Sequence, residues 1–135
     1  MAREPAEHLF VYGTLMKAVG HPMAGHLAHH GRYVGPARFT GRLYRVAAYP
    51  GAVPSGDSAD VVHGELYELD DAAALFALLD VYEGCSPDDP QPPEYTRVRS
   101  AVSTGAKSAK AWIYIYNRPV EKLQRIASGR FLATE

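Results

Sequence analysis

A chain of 135 residues, 47% hydrophobic, with 14 basic and 15 acidic residues and a formal net charge of −1, is long enough to bury one core and too short for two comfortable ones. The basic residues are scattered, which excludes nucleic acid as the main partner because phosphate binding needs a concentrated basic surface, and no apolar run approaches the ~20 residues of a membrane span. One cysteine, Cys85, excludes an internal disulfide framework, and "MAREPAEHLF" lacks the apolar segment of a signal peptide, so a cytoplasmic single domain over residues 1–135 is expected.

Taken in chain order, "HLFVYG" (8–13) is short, apolar and aromatic and ends at glycine, the pattern of a buried first strand. Gly20, Pro22 and Gly25 break any long helix after it, leaving a short one from about Pro22 to His30, since proline fits a first turn. Residues 32–53 are rich in Val, Tyr, Phe and Ala and interrupted by Gly35, Pro36 and Gly41, which predicts two short strands or one bent strand with bulges. The turn "AYPGAVPSGDS" follows, then the alternating strand "DVVHGELYEL" (60–69). Asp70 stands where an N-cap belongs, and "AAALFALLDVY" reads as a helix. "CSPDDPQPP" is a proline-rich loop. "EYTRVRSAVS" and "AKAWIYIYN" are strands joined through "TGAKS" as a hairpin, the second apolar on both faces and so expected to be buried on both. A short helix starting near Pro119 closes the chain. Strands outnumber helices, which predicts an α+β fold: a compact, strongly curved mixed β-sheet or barrel with two to three short helices packed on it.

Several residues carry chemical potential. In "VYGTL" (11–15) a buried strand ends at glycine and a small hydroxyl residue, where backbone N–H groups can turn outward and hold a carboxylate or phosphate; the ordinary reading is a turn. In "LLDVYEGCSP", Glu83 lies in the last turn of the helix, just before Gly84. The negative end of the helix dipole disfavours an anion there, so Glu83 is either a solvated carboxylate beside a glycine cap or a general acid/base whose pKa is raised by its place. His21, His26, His29 and His30 form a cluster in which His26 and His30 share the spacing of zinc ligands. There is no HExxH motif and no cysteine pair, so surface histidines are the better reading and no metal is expected. Cys85 with His63 as base is disfavoured as a nucleophile, because a helix C-terminus raises a thiol pKa. Trp112, Tyr114 and Tyr116 form an aromatic strand whose ordinary role is core.

The motifs also occur in a telling order: "FVYGTL", "YPGAVP", "VHGELYELD", "LDVYEG", "EYTRVR", "AWIYIYNRP". This series resembles the γ-glutamylcyclotransferase superfamily from about His8 to Phe131, in particular its small single-domain branch, which includes γ-glutamylamine cyclotransferase. The resemblance implies a mixed α/β barrel with a cavity at one end. It implies a lyase-type chemistry in which a γ-glutamyl amine or amide cyclises to 5-oxoproline and releases the amine, without metal, nucleotide or other cofactor. Carried over by motif, Tyr12, Gly13, Thr14 and Leu15 hold the glutamyl carboxylate, and Glu83 of "LDVYEG" is the catalytic glutamate. Tyr49, Tyr95, Arg97 and Tyr116 are further candidates for the pocket wall, with Arg97 equally a structural partner for Glu94 or Asp80. The loop after Glu83, Cys85 to Pro93, is longer and more proline-rich than the family pattern and is expected to act as a lid or to shape the amine side of the pocket.

That chemistry accounts for the position of Glu83. The substrate's α-amino group attacks its own γ-carbonyl, and an amine with a pKa near ~8 is largely protonated at neutral pH, so it needs a base. Two other readings stand beside this one: a non-catalytic module binding a small anionic metabolite, which needs no titrating group at position 83, and a hydrolase directing the same base at water, whose product is free glutamate.

Overall fold

Period-two alternation decides the architecture. In a computed structural model, which describes residues 7–13, 15–16, 22–84 and 92–131, the elements run β1 (Glu7–Val11), α1 (Pro22–His30), β2 (Gly31–Arg45), β3 (Pro50–Pro54), β4 (Val61–Leu69), α2 (Ala72–Tyr82), β5 (Tyr95–Thr104), β6 (Lys107–Tyr116) and β7 (Gln124–Arg125). In β1, Leu9 and Val11 pack with α2, while Phe10 and the following Tyr12 point the other way, into a second cluster with Phe39, Leu66 and Ile113. β6 repeats the division, with Ala111, Ile113 and Ile115 on one face and Trp112, Tyr114 and Tyr116 on the other. Both strands are covered on both faces, which is why they read as continuous apolar runs. β2 has one wet face: Ala37, Phe39 and Leu43 are buried while Arg38, Thr40 and Arg42 are exposed.

The strands pair in the order β3-β2-β4-β1-β6-β5, and β5 returns to β2 at Arg38–Ser103. β2, β4, β1, β6 and β5 therefore close into a five-stranded barrel, mixed because β1 and β6 run parallel at Leu9–Trp112. Phe10, Leu43, Leu66, Val62 and Ile113, all at most 1% exposed, fill it, each contributing about 1.5–3 kcal/mol by burial. α1 and α2 cover the outer side of β1 and β6 through Leu27, Leu75 and Leu79. The α+β barrel with two helices is thus the fold anticipated. The bent segment resolves into long β2, with an irregularity between Tyr33 and Gly35, followed by β3.

Two expectations need correction. The N-cap of α2 is Asp71, whose Oδ1 accepts from Ala74 N at 3.2 Å; the Asp70 backbone N–H is instead taken by His30 O at 2.8 Å, so the chain is still crossing from β4 when it passes Asp70. The closing helix near Pro119 does not form. A two-turn helix is marginal on its own, and this segment finds better partners: Gln124 and Arg125 pair with Arg45 and Tyr44, and Ile126 N donates to Leu43 O at 2.7 Å. Arg125 also reaches Asp60 at 2.8 Å.

Asp60 is the fastening point of that last segment. It is 9% exposed and accepts from Arg42 (2.8 Å), Arg125 (2.8 Å) and Ser55 Oγ (2.6 Å). The Ser55 hydroxyl and the two guanidinium groups hold its pKa well below the ordinary 3.8. A depressed carboxylate stabilises the fold above its unfolded pKa and loses that stabilisation as pH falls through the folded value. Asp60→Asn is therefore expected to lower the Tm at pH 7 and to flatten the loss of stability below about pH 4. Thermal melts between pH 2 and 7 check this; parallel curves for the two proteins would contradict it.

Candidate active site

The site begins with how α2 ends. Glu83 is its C-cap, with φ −84° and ψ −2° and its N–H donating to Leu79 O at 2.8 Å. Gly84 follows at φ +73°, a left-handed conformation that glycine adopts without steric cost. The chain thus turns off the helix directly after Glu83. The Glu83 side chain is left facing a cavity of about 310 Å³. Val11, Tyr12, Gly13 and Leu15 form one wall, Tyr49 and Pro50 another, and Glu94, Tyr95, Tyr82 and Tyr114 complete it around Glu83.

Each wall is fixed by hydrogen bonds that the cavity does not use. Tyr12 Oη donates to Tyr114 O at 2.6 Å and accepts from Ala52 N at 3.1 Å. Tyr95 Oη donates to Pro50 O at 2.6 Å. These two tyrosines tie the start of β3 to β1, β5 and β6, and Pro50 is pressed onto Gly13, where a Cβ would come within 2.8 Å of Pro50 Cγ. Gly51 lies against the Tyr116 ring, 2.7 Å from where its Cβ would be. The "YGTL" and "YPG" motifs are therefore two faces of one corner. Burial, above all, raises the pKa of both Tyr12 and Tyr95, so their hydroxyls stay protonated and act as fixed donors. Met16 N donates to Gly13 O at 3.0 Å.

Glu83 is the electrostatic outlier. Among the described residues no side chain donates a hydrogen bond to its carboxylate. Its pKa is raised from 4.5 to about 8, first by burial, then by the charges of Glu94 and Asp80. The helix C-terminus acts in the same direction. Glu94 is the second carboxylate of the cavity; Tyr49 Oη donates to its Oε2 at 2.5 Å, and this bond, foremost, pushes the Tyr49 pKa up to about 12. The Glu94 backbone is pinned by Asn117 N at 2.7 Å.

Of the residues singled out from sequence, Glu83, Tyr12, Gly13, Leu15, Tyr49 and Tyr95 line this one cavity. Thr14 lies outside the described residues, as do Cys85, His21 and most of the proline-rich loop. Arg97 is not in the lining. Its guanidinium takes Asp80 with two bonds (2.9 and 3.1 Å) and stacks 4.0 Å from the Phe76 ring centre and 4.9 Å from that of Trp112. Asp80 also accepts from Tyr114 Oη at 2.6 Å, so Arg97 is the structural partner of Asp80. Tyr116 sits behind the wall, 5.5 Å from Tyr95 ring to ring. Glu94 and Pro50 are cavity residues that sequence reasoning did not assign. Glu94 carries no local signal, because its place depends on where β5 begins relative to the end of α2. His26, His29 and His30 lie on α1, and among the described residues no three metal-ligating side chains converge. Nor is any described helix long and apolar enough to cross a membrane.

Known proteins share this fold. The sequence profile of the family described as "Gamma-glutamyl cyclotransferase, AIG2-like" matches residues 9–133. The chain is 34% identical over 125 residues to the γ-glutamylcyclotransferase family protein YtfP of Escherichia coli, covering 92% of this chain and 95% of that one. The solution structure of YtfP superposes with a TM-score of 0.62 over 93% of this chain and 96% of the other. PH0828 of Pyrococcus horikoshii gives 0.65 at 26% identity, over 93% and 90%. YkqA of Bacillus subtilis gives 0.69 at 26% identity, with 94% of this chain matching 40% of that longer protein. On the profile match and the near full-length identity to YtfP, the chain belongs to the AIG2-like γ-glutamyl cyclotransferase family.

Proposed function

We propose that the protein converts a γ-glutamyl amine or amide into 5-oxoproline and the free amine, with Glu83 as general acid and base. The observation that carries this reading is a glutamate with a pKa of about 8 facing a cavity large enough for a small molecule. Family membership supports cyclotransferase activity in general.

In this scheme the turn at residues 12–15 anchors the glutamyl carboxylate through backbone N–H groups. The substrate's α-ammonium, with a pKa near ~8, meets a carboxylate of nearly equal proton affinity, so the proton passes between them with little cost. The freed amine nitrogen attacks the γ-carbonyl carbon and a new C–N bond closes the five-membered ring. The tetrahedral centre then collapses: the original C–N bond breaks, its electron pair goes to the leaving nitrogen, and Glu83 returns the first proton there. The second proton of the ring nitrogen passes by the same carboxylate to the departing amine, which leaves as an ammonium. Nucleophile and electrophile belong to one molecule. A pocket that holds the folded conformer can therefore draw on the ~7–11 kcal/mol available from pre-organisation. The apolar faces of Tyr12, Tyr95 and Pro50 exclude water from the ring-closing conformer, which favours cyclisation over hydrolysis. The scheme calls for no metal and no nucleotide.

Product identity tests the reading. Purified protein is incubated with γ-glutamyl alkylamines, diamines and dipeptides, and 5-oxoproline and glutamate are both quantified. Release of 5-oxoproline is expected from at least one member. Free glutamate as the product would replace the cyclotransferase with a hydrolase, and binding without any product would leave a binding module.

A further inference from the structure

The walls of the cavity hold two carboxylates, Glu83 and Glu94, and no lysine, arginine or histidine lines it among the described residues. The guanidinium of Arg97 is held by Asp80. Arg118, whose charge reaches Tyr49, is exposed at the surface. Glu83 has a task in the proposed reaction; Glu94 has none. It is nevertheless built in: Tyr49 Oη fixes Oε2, Asn117 fixes its backbone, and the Asn117 side chain adds a bond to Pro93 O at 3.1 Å. A pre-oriented anion held this way beside a carboxylate that no described side chain bonds is suited to a cationic ligand group and repels an anionic one.

We propose that Glu94, oriented by Tyr49, reads the leaving amine, and that the substrates are γ-glutamyl conjugates whose amine part carries a second, distal ammonium, such as diamines. This deepens the proposed function and rests on it. The γ-glutamyl group brings one carboxylate for the turn at 12–15 and one α-ammonium for Glu83, so Glu94 is left for a charge on the other side of the scissile bond. The order of preference is then diamine conjugate, neutral alkylamine conjugate, γ-glutamyl amino acid, the last placing a carboxylate against Glu94. A charge-assisted hydrogen bond sets the first step at about tenfold or more in affinity.

The test uses Glu83→Gln protein, so that binding is read without turnover. Calorimetry compares γ-glutamyl-1,5-diaminopentane with γ-glutamyl-pentylamine, which differ only in the distal ammonium. About tenfold or tighter binding of the diamine conjugate is expected, abolished in Glu83→Gln/Glu94→Gln, where the amide still accepts from Tyr49. Equal affinities overturn the proposal, as does a preference that survives the second substitution. A uniform loss for both ligands also overturns it, since Glu94 would then hold the α-ammonium. Wild-type protein assayed on the same ligands separates the two claims: 5-oxoproline release with equal affinities removes the specificity role alone, discrimination without release removes the cyclotransferase alone, and neither binding nor release removes both.

Discussion

Glu83→Gln is expected to lower 5-oxoproline release by about a hundredfold to ten-thousandfold, the usual range for a positioned general acid/base, while yielding a protein more stable than its parent at alkaline pH. Both effects come from one cause. The carboxyl of Glu83 titrates at about 8 in the fold against 4.5 ordinarily. Between those values the folded state keeps a proton that the unfolded state has lost, so unfolding becomes easier as pH rises from about 4.5 to 8 and changes no further above it. A tenfold difference in proton affinity between the two states corresponds to ~1.4 kcal/mol. Glu83 is only half-buried, so the loss is on the order of a few kcal/mol. Glutamine mimics the protonated acid in shape and never ionises. Melts of the two proteins should nearly coincide at pH 5 and separate by pH 9, glutamine higher. Coincident melts at pH 9 would contradict the raised pKa, and an active glutamine variant would contradict the role.

Asp80→Ala is the substitution expected to damage the fold most. Asp80 holds α2 against β5 and β6 by accepting two bonds from Arg97 and one from Tyr114 Oη. Without it, the guanidinium sandwiched between Phe76 and Trp112 loses both of these bonds and the charge of Asp80. Fully buried pairs broken from one side cost about 3–5 kcal/mol; here the two side chains are 25% and 24% exposed, which lowers the expectation to about 2–4 kcal/mol. Asp80→Asn should cost less, since its amide oxygen still accepts one bond. Chemical denaturation measures both, and a cost under about 0.5 kcal/mol for alanine would show the triad to be surface decoration. The asparagine variant also removes one charge that raises the Glu83 pKa, linking the scaffold to the chemistry.

How much of this was legible in the sequence follows from the range of each interaction. Period-two patterns and glycine-bounded runs act locally, so β1, β4, β5, β6 and both helices could be read to within a few residues. The misplacement of Glu83 could be read too, because a helix end is a local feature. Tertiary partners could not. The local pattern puts the cap at Asp70, and only the His30 carbonyl, which takes the Asp70 N–H, moves it to Asp71. Residues 119–131 look helical until β2 and Asp60 offer hydrogen bonds that a short helix cannot match. Arg97 near Glu94 and Asp80 in sequence was ambiguous between wall and scaffold, and the rings of Phe76 and Trp112 settle it. Glu94 reaches the cavity through the relative placement of α2 and β5, which no spacing rule encodes. Pro50 gains its place from Gly13, Tyr12 and Tyr95, all distant in sequence.

The central claim is that a glutamate tuned to the proton affinity of an α-amine closes the ring, and the pH dependence of kcat/KM for 5-oxoproline release tests it most directly. The rising limb of that profile reports ionisation in the free enzyme and in the free substrate. The substrate's α-ammonium also titrates near ~8 and is the same for every variant, so the shift between enzyme variants is the decisive reading. The limb should inflect near 8, where Glu83 titrates, and move to lower pH in Glu94→Gln, which removes a neighbouring negative charge. A separate inflection at the ordinary glutamate value of 4.5, or a limb that Glu94→Gln leaves in place, would contradict the account.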